Sequence, residues 1–225
     1  MRPRGASTRL VGGVVMAHGD ERGLRLPPRV APQQVVIVPI FREDDRVEVL
    51  QAAAAVADEL RAAGVRVRVD DRPEYRPGFK FNEWELKGVP VRIEIGGRDL
   101  AAAAITVARR DSGEKRQIPL ARVSARIAEL LGDVQTSLFQ TARDEQERRT
   151  LRDPSSYHEM IEFLRDAGGF VTASWCGRRE CEVRVKDESS ATIRCLPLAE
   201  QPAHTSTCVC CGRTAVAAAV WAQAY

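Results

Sequence analysis

The 225-residue sequence has no run of about 18 apolar residues, the length a helix needs to cross a membrane. Met1 to Ala6 holds two arginines and no apolar stretch long enough for a secretory signal, so a cytoplasmic location is the default expectation. The formal net charge is only +3, which does not by itself argue for a polyanionic partner. A nucleic-acid reader can still be nearly neutral when its basic residues share one face, so charge has to be judged locally. No cysteine occurs before Cys176, and all six lie between Cys176 and Cys211. In a reducing compartment such a cluster points to a metal site before disulfides.

What is present is an alternating chain with enough hydrophobic residues, 44%, for packed cores. Ser7 to Leu26 has an apolar centre (Leu10, Val11, Val14, Val15, Met16) broken by a glycine pair, and needs a surface to pack on. We therefore expect the tail of a larger domain whose beginning is absent. Pro27, Pro28 and Pro32 then read as a linker. Gln34 to Ile40 is a continuous apolar run, the mark of a buried strand. Asp44 to Gly64 reads as a helix capped by Asp44 or Asp45, with Val47, Leu50, Ala54, Ala57 and Leu60 on one face. Val65 to Val69 alternates valine with outward arginine. Pro77 to Gly88 predicts a short helix. Val89 to Ile95, Ile105 to Arg109 and Lys115 to Pro119 read as strands, punctuated by Gly96-Gly97. Val123, Ile127, Leu130, Leu131, Val134 and Leu138 predict a long amphipathic helix, continued by the charged stretch from Thr141 to Arg152. The order implies a mixed sheet covered by helices. Beyond Asp153-Pro154 we expect a helix facing inward through Tyr157, Ile161 and Leu164. A strand over Phe170 to Trp175, a helix over Cys181 to Ser189, and strands over Thr192 to Leu196 and Ala215 to Tyr225 complete the expectation.

Cys176 and Cys181 form C-x₄-C; Cys208 and Cys211 form C-x₂-C before Gly212. Two such pairs can wrap a tetrahedral Zn²⁺, for which thiolate is a suitably soft and anionic ligand, and four thiolates make a closed structural site. Ordinary buried cysteines and a redox pair of Cys208 with Cys211 are the alternatives. Cys210 could replace either member of the second pair. Cys195 sits in an apolar strand and reads as core, and His204 lies in a polar loop.

Residues 75–100, YRPGFKFNEWELKGVPVRIEIGGRDL, closely resemble the anticodon-binding domain of archaeal- and eukaryote-type prolyl-tRNA synthetases. Residues 7–32, STRLVGGVVMAHGDERGLRLPPRVAP, look like the end of that family's class II catalytic domain, with its third motif. ATIRCLPL (residues 191–198), the cysteine pairs and the final tyrosine resemble its C-terminal zinc-binding domain. The resemblance implies an α/β fold in three parts. These are a catalytic-domain remnant (1–32), a mixed-sheet anticodon-binding domain (33–140) and a small α+β zinc-binding domain (150–225). It implies a proline–tRNA ligase: ATP- and Mg²⁺-dependent attachment of proline to its tRNA by the whole enzyme, with a possible homodimer. Three departures stand out. The first two class II motifs have no counterpart here, so this chain alone is expected to be inactive. Gly97 stands where the family usually has Pro, and Cys210 occupies a variable position.

The resemblance assigns Arg22 to ATP, where a permanently charged planar guanidinium can bind phosphate or stack on adenine. Proline anticodons share two guanines, whose exposed edges need acceptors for N1–H and N2–H₂ and donors for O6 and N7. Arg72, Lys80, Glu83 and Arg92 are the candidate readers, beside Glu94. Phe79, Phe81 and Trp84 are either stacking faces or core. Arg109 and Arg110 would suit phosphates. The Tyr225 carboxylate is implied to reach toward the catalytic pocket. Two rival readings are a freestanding tRNA-binding zinc protein derived from a synthetase, and a thiol oxidoreductase.

Overall fold

The computed structural model describes residues 8–166, 168–198 and 206–223, in two units, Met1–Ala142 and Arg143–Tyr225. In the first, α1 (Arg9–His18) leads to β1 (Val35–Ile40), α2 (Arg46–Ala62), β2 (Val67–Val69) and α3 (Pro77–Leu86). β3 (Val91–Gly96), α4 (Gly97–Ala101), β4 (Ala104–Arg109), β5 (Lys115–Pro119) and α5 (Val123–Arg148) follow, α5 running across the division. The sheet is mixed, in the order β2-β1-β3-β4-β5. β2, β1 and β3 are parallel, and β4 and β5 antiparallel.

Side chains alternate across a strand, so β1 feeds two cores. Val35 and Ile37 join Val91, Ile93 and Ile95 of β3 under α2 and α5, whereas Val36 and Val38 meet Trp84 and Val89 on the opposite side, under α3. Each fully buried aliphatic side chain contributes roughly 1.5–3 kcal/mol, which makes β1, covered on both faces, the anchor of the unit. Pro39 is tolerated in this strand for a local reason. The Ile37 carbonyl accepts the Asp70 N–H at 2.8 Å, so residues 37 and 39 turn their backbone toward β2, and β2 pairing stops at Val69. No ladder bond is lost at the proline.

Several expectations need correction. The buried face of α2 is Val49, Ala53, Val56, Ala57 and Leu60; Val47 is exposed, and Leu50 and Ala54 are not in the core. The Gly96-Gly97 break opens α4, where the Asp99 carboxylate accepts the Gly96 N–H at 3.0 Å. Residues 27–32 are packed rather than free. Arg66 donates to the carbonyls of Ala31 (2.9 Å) and Pro28 (2.8 Å), and Ala31 is buried. Upstream, Leu24 and Leu26 donate their N–H groups to the carbonyls of Leu86 and Gly88. That close approach requires glycine: a Cβ on Gly88, at φ +73°, would lie 2.6 Å from the Leu24 carbonyl. α1 itself buries no residue.

The second unit holds β6 (Thr150–Arg152), α6 (Tyr157–Asp166), β7 (Phe170–Trp175), α7 (Arg179–Ser189), β8 (Ala191–Cys195) and β9 (Ala217–Gln223). Its sheet runs β6-β7-β9-β8, with β6 and β7 parallel and the other pairs antiparallel. Met160, Ile161 and Leu164 of α6 and Val185 of α7 pack on Val171, Ala173, Ala219 and Trp221. β6, expected as charged helix, is a strand held by pairing with β7. Cys195, expected in the core, is exposed, because a bulge after Ile193 disturbs the pairing of the edge strand β8 there. His204 and Tyr225 lie outside the described residues. Among the described residues no helix is long and apolar enough to cross a membrane.

Candidate functional site

The register of the first sheet decides which polar groups share the α3 face. Arg92 lies opposite Val36 of β1 and Ala108 of β4, Glu94 lies opposite Val38 and Thr106, and Lys115 lies opposite Ala108. Opposite residues point the same way, so Arg92, Glu94 and Lys115 emerge beside α3 on one surface. The Arg92 guanidinium donates to Glu94 Oε1 through Nε (3.1 Å) and Nη2 (2.9 Å), and Lys115 Nζ reaches the same oxygen at 3.0 Å. Arg92 also lies over the Phe81 ring, 4.2 Å from its centroid. Lys115 drew no notice in the sequence, since a charge in a mostly exposed strand reads as solvated; only the register reveals its place.

A second polar group surrounds Asp70 at the end of β2. Its carboxylate accepts Arg72 Nε and Nη2, each at 2.8 Å, and Trp84 Nε1 at 2.7 Å. Lys80 Nζ donates to the Asp70 carbonyl at 2.9 Å, with the carboxylate 3.9 Å away. Burial pushes the Asp70 carboxyl up, but bonds from Arg72 and Trp84 and the Lys80 charge outweigh it and hold it at about 2. Arg72 also bonds Glu83, whose other oxygen accepts Lys87 Nζ at 2.6 Å. The Arg72 bond, then that of Lys87, lowers the Glu83 carboxyl.

The structure thus joins Arg72 to Glu83 and places Arg92 on the same α3 side of the sheet. Lys80 is turned inward: only 3% exposed, its ammonium is taken up by Asp70 and is out of reach of a base. Trp84 is core, Phe81 half-buried under Arg92, and Phe79 exposed. Arg109 and Arg110, like Arg92, are already bonded to carboxylates. Arg109 forks onto Asp111 (3.0 and 2.7 Å); Arg110 forks onto Asp20 (2.8 and 2.6 Å) and donates to the Glu85 carbonyl at 2.9 Å. The Arg110 bond is the main cause that lowers Asp20 to about 2. Arg22 is 71% exposed, with one long contact of 3.4 Å to Glu85. It borders a cleft of about 140 Å³ whose wall includes Arg92, Lys115, Trp84 and Glu85.

In the second unit the ligand atoms of Cys176, Cys181, Cys208 and Cys211 all lie within 4.8 Å of one another. Cys176 follows β7 and Cys181 sits in the first turn of α7; their sulfurs are 3.6 Å apart. Cys211 Sγ lies 3.7 Å from Cys176 Sγ. The Cys208–Gly212 turn is closed by the Gly212 N–H to the Cys208 carbonyl at 2.9 Å, with Gly212 at φ +70°. A tetrahedron of Zn–S bonds of about 2.3 Å has sulfur separations of about 3.8 Å, so the four cysteines fit the ion. Burial, then bonds to the neighbouring cysteines, raises the Cys181 thiol. Cys210 lies outside this set and contacts Cys181.

Residues 34–130 match the family model described as "Anticodon binding domain", and residues 157–225 match that described as "Prolyl-tRNA synthetase, C-terminal". The chain is 46% identical to "Proline--tRNA ligase 2" of Clostridioides difficile over 224 residues, 98% of this chain and 45% of the relative. It is 44% identical to "Proline--tRNA ligase" of Oceanobacillus iheyensis, over 98% of this chain and 45% of the relative. It is 45% identical to "Proline--tRNA ligase" of Chloroflexus aurantiacus, over 98% of this chain and 46% of the relative. The chain therefore spans a little under half the length of these relatives.

Proposed function

Because the chain belongs to the prolyl-tRNA synthetase family, carrying its anticodon-binding and C-terminal domains, we propose that it reads the anticodon of proline tRNA. We assign this reading to the domain spanning 33–140. The observation that carries the reading is the α3 face of the first sheet. There Arg72 and Glu83 form one donor–acceptor pair and Arg92 and Glu94 another, with Phe81 beneath Arg92. Unpaired guanines present such pairs with matching edges: a carboxylate accepts N1–H and N2–H₂, and a guanidinium donates to O6 and N7. Glu83 and Arg92 read bases in this scheme, Arg72 orients Glu83, and Lys80 supports Asp70 beneath them.

In the C-terminal domain, spanning 150–225, Cys176, Cys181, Cys208 and Cys211 hold a structural Zn²⁺. Four thiolates leave no open position for catalysis. Residues 1–32 correspond to the end of the class II catalytic domain. Arg22 contacts ATP there, with Mg²⁺ supplied alongside the nucleotide. The activity of the whole enzyme is the attachment of proline to tRNA in the cytoplasm, through prolyl-adenylate and transfer to the tRNA 3′ end. The residues of this chain contribute binding and orientation to it.

A titration of the zinc-loaded chain against a proline tRNA transcript, and against one with the two anticodon guanines exchanged, tests the reading. The cognate transcript should bind tighter, and Glu83→Gln or Arg92→Gln should each reduce that preference by about 5- to 150-fold, the range of one lost bidentate base contact. Equal affinity for both transcripts removes the assignment.

A further inference from the structure

In the second unit a fifth cysteine stands beside the four that fit an ion. The ligand atoms of Cys176, Cys181, Cys208 and Cys211 lie within 4.8 Å of one another, and Cys210 is outside that set. Its sulfur is in hydrogen-bond contact with that of Cys181. The contact joins two firmly held segments. Cys181 sits in the first turn of α7. Cys210 sits in the turn that the Gly212 N–H closes onto the Cys208 carbonyl at 2.9 Å, and the Val209 N–H ties that turn to the Ser174 carbonyl of β7 at 3.1 Å. The two sulfurs differ in access: Cys181 is 5% exposed, whereas Cys210 is only half-buried. A thiol that solvent reaches, held against a buried second thiol, is the arrangement of an oxidisable pair.

We propose that Cys210 is an oxidation site whose partner is Cys181, so that a hydroperoxide removes one of the four metal-holding thiolates. The inference rests on the structural Zn²⁺ proposed above. Two steps balance the chemistry. Hydrogen peroxide converts the Cys210 thiol to a sulfenic acid: an S–O bond forms, the O–O bond breaks, and water leaves. The Cys181 thiolate then attacks the Cys210 sulfur: an S–S bond forms, the S–O bond breaks, and hydroxide leaves, taking up a proton to become water. Each sulfur gives up one electron and the peroxide gains both. Buried Cys181 is oxidised only through Cys210, because the oxidant does not reach it directly. Three thiolates then remain, which opens a closed four-donor site and weakens its hold on the ion. Cys195, exposed on β8, lies outside the cluster and takes no part.

The test treats the full zinc-loaded chain with hydrogen peroxide. A chromogenic chelator reads the released zinc, and mass spectrometry of the alkylated, unreduced digest reads the disulfides. Wild type should release its zinc as a Cys181–Cys210 bond forms, and dithiothreitol with added zinc should reverse both. Cys210→Ser should hold zinc like wild type before treatment and release it at least about 10-fold more slowly, because the reachable sulfur is gone. Cys195→Ser should release zinc at the wild-type rate. Wild-type release in Cys210→Ser overturns the proposal, as does a product in which Cys210 is joined to Cys208 or Cys211 instead. Loss of zinc from untreated Cys210→Ser also overturns it, since Cys210 would then be a ligand. If the untreated wild-type chain holds no zinc while the Cys181–Cys210 bond still forms under peroxide, the metal reading fails and the oxidation site stands.

Discussion

Asp70→Asn is the substitution with the most to lose. Asp70 is 2% exposed, and its carboxylate serves Arg72, Trp84 and, through space, Lys80. The asparagine oxygen can still accept Trp84 Nε1, but its NH₂ cannot take the second guanidinium bond and would face it as a donor. Arg72 is part-exposed and can turn to water; Lys80, 3% exposed, cannot, and keeps only the Asp70 carbonyl without a countercharge. Breaking a buried pair on one side costs about 3–5 kcal/mol. Holding the carboxyl at about 2 against an ordinary 3.8 is by itself worth about 2 kcal/mol. We expect a loss of about 3 kcal/mol at pH 7, a midpoint shift of roughly 6–12 °C for a unit of this size.

The sign of the pH dependence follows from the lowered carboxyl. The contribution is complete well above pH 3.8, falls as the unfolded chain protonates, and is about half gone at pH 3 and mostly gone at pH 2. Urea unfolding followed by circular dichroism across pH 7 to 2 should therefore show the gap between wild type and variant narrowing below pH 4. A gap under about 0.5 kcal/mol at pH 7 refutes the reasoning, as does one that keeps its size down to pH 2. Asp20, also held at about 2, acts in the same window and in the same direction in both proteins, so it cancels from the comparison.

Three further outcomes are expected. The purified chain should carry about one zinc, and its removal by chelator, or by Cys176→Ser, should unfold the second unit as read by hydrogen exchange. Gly88→Ala should cost about 1–3 kcal/mol, because it forces a Cβ into a left-handed position and onto the Leu24 carbonyl; denaturation midpoints measure this. Arg109→Ala should lower stability by about 3 kcal/mol by stranding the Asp111 carboxylate, while guanine preference in a filter-binding assay stays unchanged.

Patterns of one period were readable wherever the side chains were distinctive. The apolar runs read over Gln34 to Ile40, Val89 to Ile95 and Ile105 to Arg109 are strands at 35–40, 91–96 and 104–109, and every buried position of the long helix from Val123 to Leu138 followed from helical spacing. In α2 the same logic slipped, because alanines at 52–55 and 57 leave the apolar face poorly marked and several rotations of the helix look alike. β6 escaped notice because three residues of mixed polarity become a strand only by pairing with β7. On the α3 face, Arg72, Lys80, Glu83 and Arg92 were legible as residue types, whereas the burial of Lys80 was not. Nothing local marks a lysine as buried until a carboxylate from another strand stands beside it.

The amino-acid sequence by itself determined most of the longer elements, the C-x₄-C and C-x₂-C pairs and the family, since each is written in spacings along the chain. Tertiary structure alone decided which face of the sheet each charge occupies and how deeply it is buried. Parallel pairing of β1 with β2 and β3 carries Asp70 under α3 and sets Arg92 and Glu94 beside it, while Arg109 and Arg110 find carboxylates of their own. Arg72, Arg92 and Arg109 take carboxylates two residues away along their own segments, whereas the Arg110–Asp20 pair joins residues 90 apart that only the fold brings together.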